Sequence, residues 1–349
     1  MPRADPFERM KSEILKHYSD EFRAGWDIAQ GDAESLFDAL ITESDESLIC
    51  ELLAAWISKG HSEDELFALA CIMRLRMKSI KTDDPIVIDI VGTGGSRAKT
   101  FNVSTAAAFV IAGAGVSVAK HGNRAATSNA GSADVLELLG VKADVSPETA
   151  EGCLNDHGIC FMFAPRFHLL SPTLAMARRR LGRPTIFNNL GPLCNPASPS
   201  NSVIGVWDKN ILEMTANVLG RLGRTCSWIV HGENGLDEIA LNGETAVVQV
   251  CDDEVLPLKI SAANFGIEPD DGELPQKLSA GESATLIREI LDNKRSGSNA
   301  ENLVLINVAA AIYLAVADDL RSAFKLATES VRSGSAKAKL NALAEATNK

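Results

Sequence analysis

Residues 89–134 read DIVGTGGSRAKTFNVSTAAAFVIAGAGVSVAKHGNRAATSNAGSAD, and this stretch decides the fold. It predicts a strand, a glycine turn, a helix, a second strand, and a polar loop that opens another helix. Ile86, Val87, Ile88, Ile90 and Val91 are β-branched and apolar, broken only by Asp89, as in a strand buried on both faces. Gly92, Gly94 and Gly95 then give a turn whose backbone can approach a ligand and aim N–H groups at an anion. Ser104 and Thr105 fall at the start of the following helix, where free N–H groups and the helix dipole favour phosphate. The second strand, 116–119, runs into Lys120-His121-Gly122-Asn123-Arg124 and brings two cations to the same end of the sheet. Ligands of open α/β sheets bind beyond the carboxyl ends of strands, so both loops face one site. The reading is a phosphate-ester site.

Working outward, 349 residues are enough for a large core and two domains. A formal net charge of -12 argues against nucleic acid as a partner, since no global basic surface exists. Lys120, Arg124, Arg178, Arg179, Arg180 and Arg183 nevertheless cluster positive charge, which fits a small anionic ligand better than a polymer. The bland alternative for the arginines is a solvated helix face. Seven cysteines without a CxxC pair read as reduced core thiols of a cytoplasmic protein. The N-terminus is too charged for a signal peptide, and the apolar run 103–119 is interrupted by Ser, Thr and Gly. No membrane is expected.

Residues 1–80 carry helical periodicity throughout and predict a small all-helical domain, with Ser62 and Glu65 as a capping box. The spare apolar faces fit a subunit interface and packing on a larger domain about equally well. Residues 79–85 read as a linker. Beyond them, strand and helix patterns alternate, predicting an α/β fold: a large domain with a mainly parallel central sheet covered by helices. Ser146-Pro147 and Ser171-Pro172 each start a helix. Residues 187–196, FNNLGPLCNP, hold so many breakers that a shaped loop is expected there. From Asp237 to about Leu258 short strands and turns are expected, and Leu303 to Val316 reads as a buried helix.

The glycine turn alone is a weak signal, because it has neither Walker nor dinucleotide spacing. The combination is specific. GTGG, FNVST, KHGNR and GSADVLELLG, in this order and spacing, resemble the anthranilate phosphoribosyltransferase family, and FMFAPRFH, TIFNNLGPLCNP and HGENGLDE stand where that family has counterparts. The resemblance covers nearly the whole chain. It implies Mg²⁺-dependent transfer of a phosphoribosyl group from phosphoribosyl pyrophosphate to anthranilate, giving phosphoribosylanthranilate and pyrophosphate in tryptophan biosynthesis, by a homodimer. It further implies that residues 171–196 join the helical domain in space, leaving 85–170 and 197–349 as the donor-binding domain.

Residue by residue, the resemblance places Gly92, Gly95, Ser96, Thr100, Asn102, Val103, Ser104 and Thr105 around the donor. With them it places Lys120, His121, Gly122, Asn123, Arg124, Ala125, Ala126, Thr127, Ser128 and Ser132. Gly92, Asn123, His168 and Arg178 match the acceptor site, with Arg178 against the anthranilate carboxylate. Ser104, Asp237 and Glu238 match the magnesium contacts. No acid or base is assigned, because an aromatic amine attacks with its own lone pair. Ser96 stands where the family usually carries Asp, which predicts altered magnesium use. Two other readings compete: a related transferase with another aromatic acceptor, and a non-catalytic relative that binds nucleic acid.

Overall fold

The computed structural model describes residues 6–349 except 30, 97, 99, 126–129, 224–225, 253 and 269–272. Four helices open the chain: α1 (Pro6–Arg23), α2 (Ala33–Thr42), α3 (Glu46–Lys59) and α4 (Glu63–Arg76). The face α1 buries carries Leu15, Tyr18 and Phe22, whereas Met10 is 49% exposed. Spacings of three and four residues put those three side chains on one side of the helix and leave Met10 at its margin. The expected capping box is present at α4, where Ser62 Oγ accepts from Glu65 N–H and the Glu65 carboxylate accepts from Ser62 N–H.

The sheet then builds as β1 (Val87–Gly92), α5 (Val103–Gly113), β2 (Ser117–Gly122), α6 (Ser132–Leu138), α7 (Pro147–His157) and β3 (Ile159–Phe163). The chain leaves it through α8 (Ala164–Phe167), α9 (Pro172–Leu181) and α10 (Ile186–Leu193). It returns as β4 (Asn201–Gly205), α11 (Leu212–Arg221), β5 (Cys226–Gly232), β6 (Thr245–Cys251) and β7 (Glu254–Ile260). Four helices close the chain: α12 (Ala280–Leu291), α13 (Asn299–Ala315), α14 (Leu320–Arg332) and α15 (Ser335–Thr347). Strand order is β3-β2-β1-β4-β5-β6-β7, parallel through β5 and antiparallel beyond it. Connections run one way from β1 to β2 and β3 and the other way from β4 to β5. The crevice between β1 and β4 is therefore the switch point where such sheets bind ligands.

One face of the sheet is covered by α5, α7 and α13–α15; side chains of the other share a core with α1–α4, α9, α10 and α11. Among the described residues no single helix is long and apolar enough to cross a membrane.

Two expectations need correction. Residues 186–193 are helical, not a loop, because Asn188 Oδ1 accepts the Thr185 N–H and starts the turn, while Pro192 sits in the last turn. Strand β2 also continues through Lys120, His121 and Gly122, so the first cation of KHGNR lies inside the sheet.

The switch point is tightly filled. A Cβ on Gly205 would lie 1.6 Å from the backbone oxygen of Asp237, an overlap no rotamer can relieve. Gly205→Ala should destabilise by about 3 kcal/mol, seen as a lowered urea midpoint. An unchanged midpoint would contradict the packing of Asp237 on β4.

Candidate active site

The carboxyl ends of β1, β2 and β4, with α9 and α10 opposite, enclose a cavity of about 340 Å³. It is lined by Gly92, Gly95, Ser96, Thr100, Asn102, Val103, Ser104, Lys120, His121, Gly122, Asn123, Arg124, Ala125, Ser132, His168, Arg178, Asp237 and Glu238. Sequence positions more than a hundred residues apart thus meet in one place. Thr105 does not reach it: as the third residue of α5 it is fully buried and off the cavity wall. Ala126, Thr127 and Ser128 lie outside the described residues.

Gly92 packs directly on the acidic loop: a Cβ there would come within 2.6 Å of Asp237 Oδ2 and force that carboxylate to shift. The acidic pair therefore sits against the glycine turn. Ser96 Oγ donates to Gly235 O at 2.6 Å and latches that turn to the acidic loop without adding charge. Burial first, and the Asp237 carboxylate second, push Glu238 well above the usual carboxylate range. Two acids held this way are a ready site for a divalent cation, which prefers hard oxygens. Ser104, in the first turn of α5, lines the same cavity.

Lys120 is 3% exposed, and Nζ donates to Ile90 O at 2.8 Å and Ser104 Oγ at 3.2 Å. Burial pulls it down to about 8, opposed by Asp89 from inside β1. The interruption of the apolar strand is thus a buried carboxylate, whose Oδ2 accepts from Asn195 Nδ2 at 2.8 Å. Arg124 is less available than expected: its guanidinium pairs with Asp134 at 3.0 Å and Glu137 at 2.5 Å on α6. Asp134 Oδ2 also accepts from Ala125 N–H and Gly131 N–H, tying both ends of the polar loop to α6.

Arg178 lies on the other side of the cavity. It stands over Phe187 at 5.3 Å, and Nη2 reaches Asn188 Oδ1 at 3.4 Å, while its buried Nε has no hydrogen-bond partner. Burial alone lowers it to about 10. A buried guanidinium with an unused donor, and with no carboxylate paired to it among the described residues, suits an anionic ligand. Arg179 and Arg180 are exposed on the solvated face of α9.

His121 and His168 meet Nε2 to Nε2 at 3.2 Å. His121 Nδ1 faces Gly191 O at 3.2 Å, and His168 hydrogen-bonds the backbone of Cys194. The pair clasps β2 and the segment after α8 to the end of α10. Burial, then repulsion from His168, lowers His121 to about 3, and burial lowers His168 to about 4. The unfolded chain therefore binds more protons between about pH 6.5 and pH 4, so stability rises with pH across that window and is complete above it. Going from pH 7 to pH 5 should cost on the order of 2 kcal/mol per ring. Denaturant midpoints check this: His168→Gln should flatten the pH dependence, and an equally steep loss in the variant would clear the pair of causing it.

Two residues escaped the sequence reading. Asn188 donates through Nδ2 to Thr93 O while Oδ1 takes Arg178, joining the two sides of the cavity. Asn307 brackets Ile239, accepting its N–H and donating to its carbonyl, and so fixes the residue after the acidic pair. Asn307 had a visible signal, a lone amide in the apolar helix 303–316; Asn188 was hidden among breakers.

A profile described as "Glycosyl transferase family, a/b domain" matches residues 84–337. The anthranilate phosphoribosyltransferase of Desulfosudis oleivorans is 41% identical over 92% of this chain and 95% of its own length. This chain belongs to the anthranilate phosphoribosyltransferase family. The family's Moorella thermoacetica member is 40% identical over 95% of this chain and 97% of its own length. Among solved structures, the Thermus thermophilus anthranilate phosphoribosyltransferase superposes with a TM-score of 0.85 at 34% identity, covering 95% of this chain and 99% of the other. The Saccharomyces cerevisiae enzyme, solved with PRPP and Mg, gives 0.83 at 27% identity over 96% and 98%. The α/β fold expected from the sequence is that of these family members.

Proposed function

We propose that the chain transfers a phosphoribosyl group from phosphoribosyl pyrophosphate to anthranilate, releasing pyrophosphate, in tryptophan biosynthesis. The observation that carries this is the two-sided cavity. A glycine turn, a helix start and a buried lysine face an acidic pair on one side, and Arg178 waits without a carboxylate on the other. Ser104, Asp237 and Glu238 would hold Mg²⁺; when bound, it carries the charge that builds on pyrophosphate as the ribose C1–O bond breaks. The glycine turn and Lys120 orient the donor, and Arg178 takes the acceptor carboxylate and aims its amine at C1. The amine attacks with its lone pair, so no residue is asked to remove a proton first.

Of the remaining donor positions, Thr100, Asn102, Val103, His121, Gly122, Arg124, Ala125 and Ser132 line the same cavity and are assigned there; Asn123 and His168 border the acceptor. Residues 1–80 with 171–196 form the helical domain, and 85–170 with 197–349 the donor domain, supported by the packing of α9 on α3. A homodimer in the cytoplasm is the expected form. Incubation with the donor, Mg²⁺ and a panel of aromatic amino acids, following acceptor fluorescence, tests the reading. Well-folded protein inert towards anthranilate would overturn it, and turnover of another acceptor alone would select the related-transferase reading.

A further inference from the structure

The cysteines lie far apart in sequence, yet the sheet brings two of them together. Cys226 opens β5 and Cys251 ends β6, and they are direct partners in the antiparallel register. Cys226 N–H bonds to Ser200 O, on the β4 side, so its backbone groups point away from β6. The Cys226–Cys251 pair is therefore a non-hydrogen-bonded one, where Cα atoms lie about 4.5 Å apart and side chains come closest. That distance falls within the span of a disulfide. The neighbouring pair on the same face follows the same rule, with Trp228 Nε1 donating to Gln249 Oε1 at 2.9 Å. The Cys226 thiol itself hydrogen-bonds to Cys251. Both residues are partly exposed, so a small reagent can reach them.

We propose that Cys226 and Cys251 are a disulfide-forming pair, oxidised by exchange with a small-molecule disulfide. One protein thiolate attacks the small disulfide and expels one half of it, which leaves as a thiol after taking a proton. The second protein thiolate then attacks the protein-side sulfur of the mixed disulfide and releases the other half. Two protein thiols become one disulfide, and one small disulfide becomes two thiols. Burial, then the hydrogen bond to Cys251, pushes the Cys226 thiol up to about 12, which favours Cys226 as the second attacker. The bond would staple the antiparallel edge β6–β7 to the parallel strands at the end of the sheet opposite the cavity.

The test treats reduced full-length protein with excess oxidised glutathione, traps remaining thiols with iodoacetamide, and maps linked peptides by mass spectrometry. The expected product joins Cys226 to Cys251, is reversed by dithiothreitol, and is absent from Cys251→Ser. The same treatment in concentrated urea should scatter links among the seven cysteines. Native protein in which both residues end up alkylated or separately glutathionylated, or in which either is linked to a third cysteine, would overturn the proposal. The mapping on unmodified protein stands even if the serine variant fails to fold.

Discussion

Arg178→Met yields a protein at least as stable as the parent that has lost its grip on the acceptor. On the catalytic side, losing one partner of a buried, hydrogen-bonded charge pair costs about 2–5 kcal/mol, which is roughly 30- to several-thousand-fold in kcat/KM for anthranilate. The KM for the donor should move far less, because Arg178 stands on the opposite wall and reaches the donor's turn only through Asn188. On the stability side, a guanidinium lowered from 12.5 to about 10 by burial records a cost near 3 kcal/mol for keeping it charged. Its contact with the Phe187 ring, about 1 kcal/mol, returns only part of that. A methionine fills similar space without the charge, so the melting temperature should rise by a few degrees. Steady-state kinetics in both substrates and a thermal melt decide the matter. An unchanged anthranilate KM would remove Arg178 from the acceptor side.

Asp237→Asn should abolish metal-dependent turnover while sparing the fold. Its carboxylate lies against Gly92 at the switch point, and the amide keeps that shape but lacks the charge a divalent cation needs. A loss of about 10³-fold or more is expected, the scale of removing a preorganised charge from a developing anion. The parent's melting temperature should climb when Mg²⁺ and the donor are added together, since both bind only folded protein. The variant should show little of that rise. Removing the neighbouring charge also relieves Glu238, whose raised titration weakens the fold as pH increases, so the unliganded variant gains stability at neutral pH. Variant turnover within tenfold of the parent would exclude Asp237 from metal binding.

Much of this was legible because local chemistry and global fold agree in this chain. The doubly buried strand around Asp89, the Ser-Pro helix starts and the capping box at Ser62 each carry a short-range signal that packing had no reason to override. Helix α10 was missed for the opposite reason. Gly191 and Pro192 read as breakers, but they fall at the end of a helix that stops at Leu193, so the proline removes only one of its final hydrogen bonds, and Asn188 supplies the cap at the start. The site was legible as a set of positions but not as a set of partners. Sequence put Arg124 among free cations, and only the fold shows α6 neutralising it. It likewise placed Thr105 beside Ser104, and only the turn of α5 sends the one to the core and the other to the cavity. Such outcomes depend on which side of an element a residue takes, which spacing fixes only modulo the helix's own rotation.

Asn188 gives the cavity a thermodynamic property beyond its shape. One amide bonds the glycine turn through Thr93 and the acceptor-side arginine through the same short side chain. Where donor binding displaces the turn, this bridge carries the displacement to Arg178, and where acceptor binding displaces Arg178 it carries it back. The two binding equilibria are then linked, and linkage is reciprocal: each substrate changes the other's affinity by one common factor. A single amide thereby lets either substrate tune how tightly the other is held across the cavity.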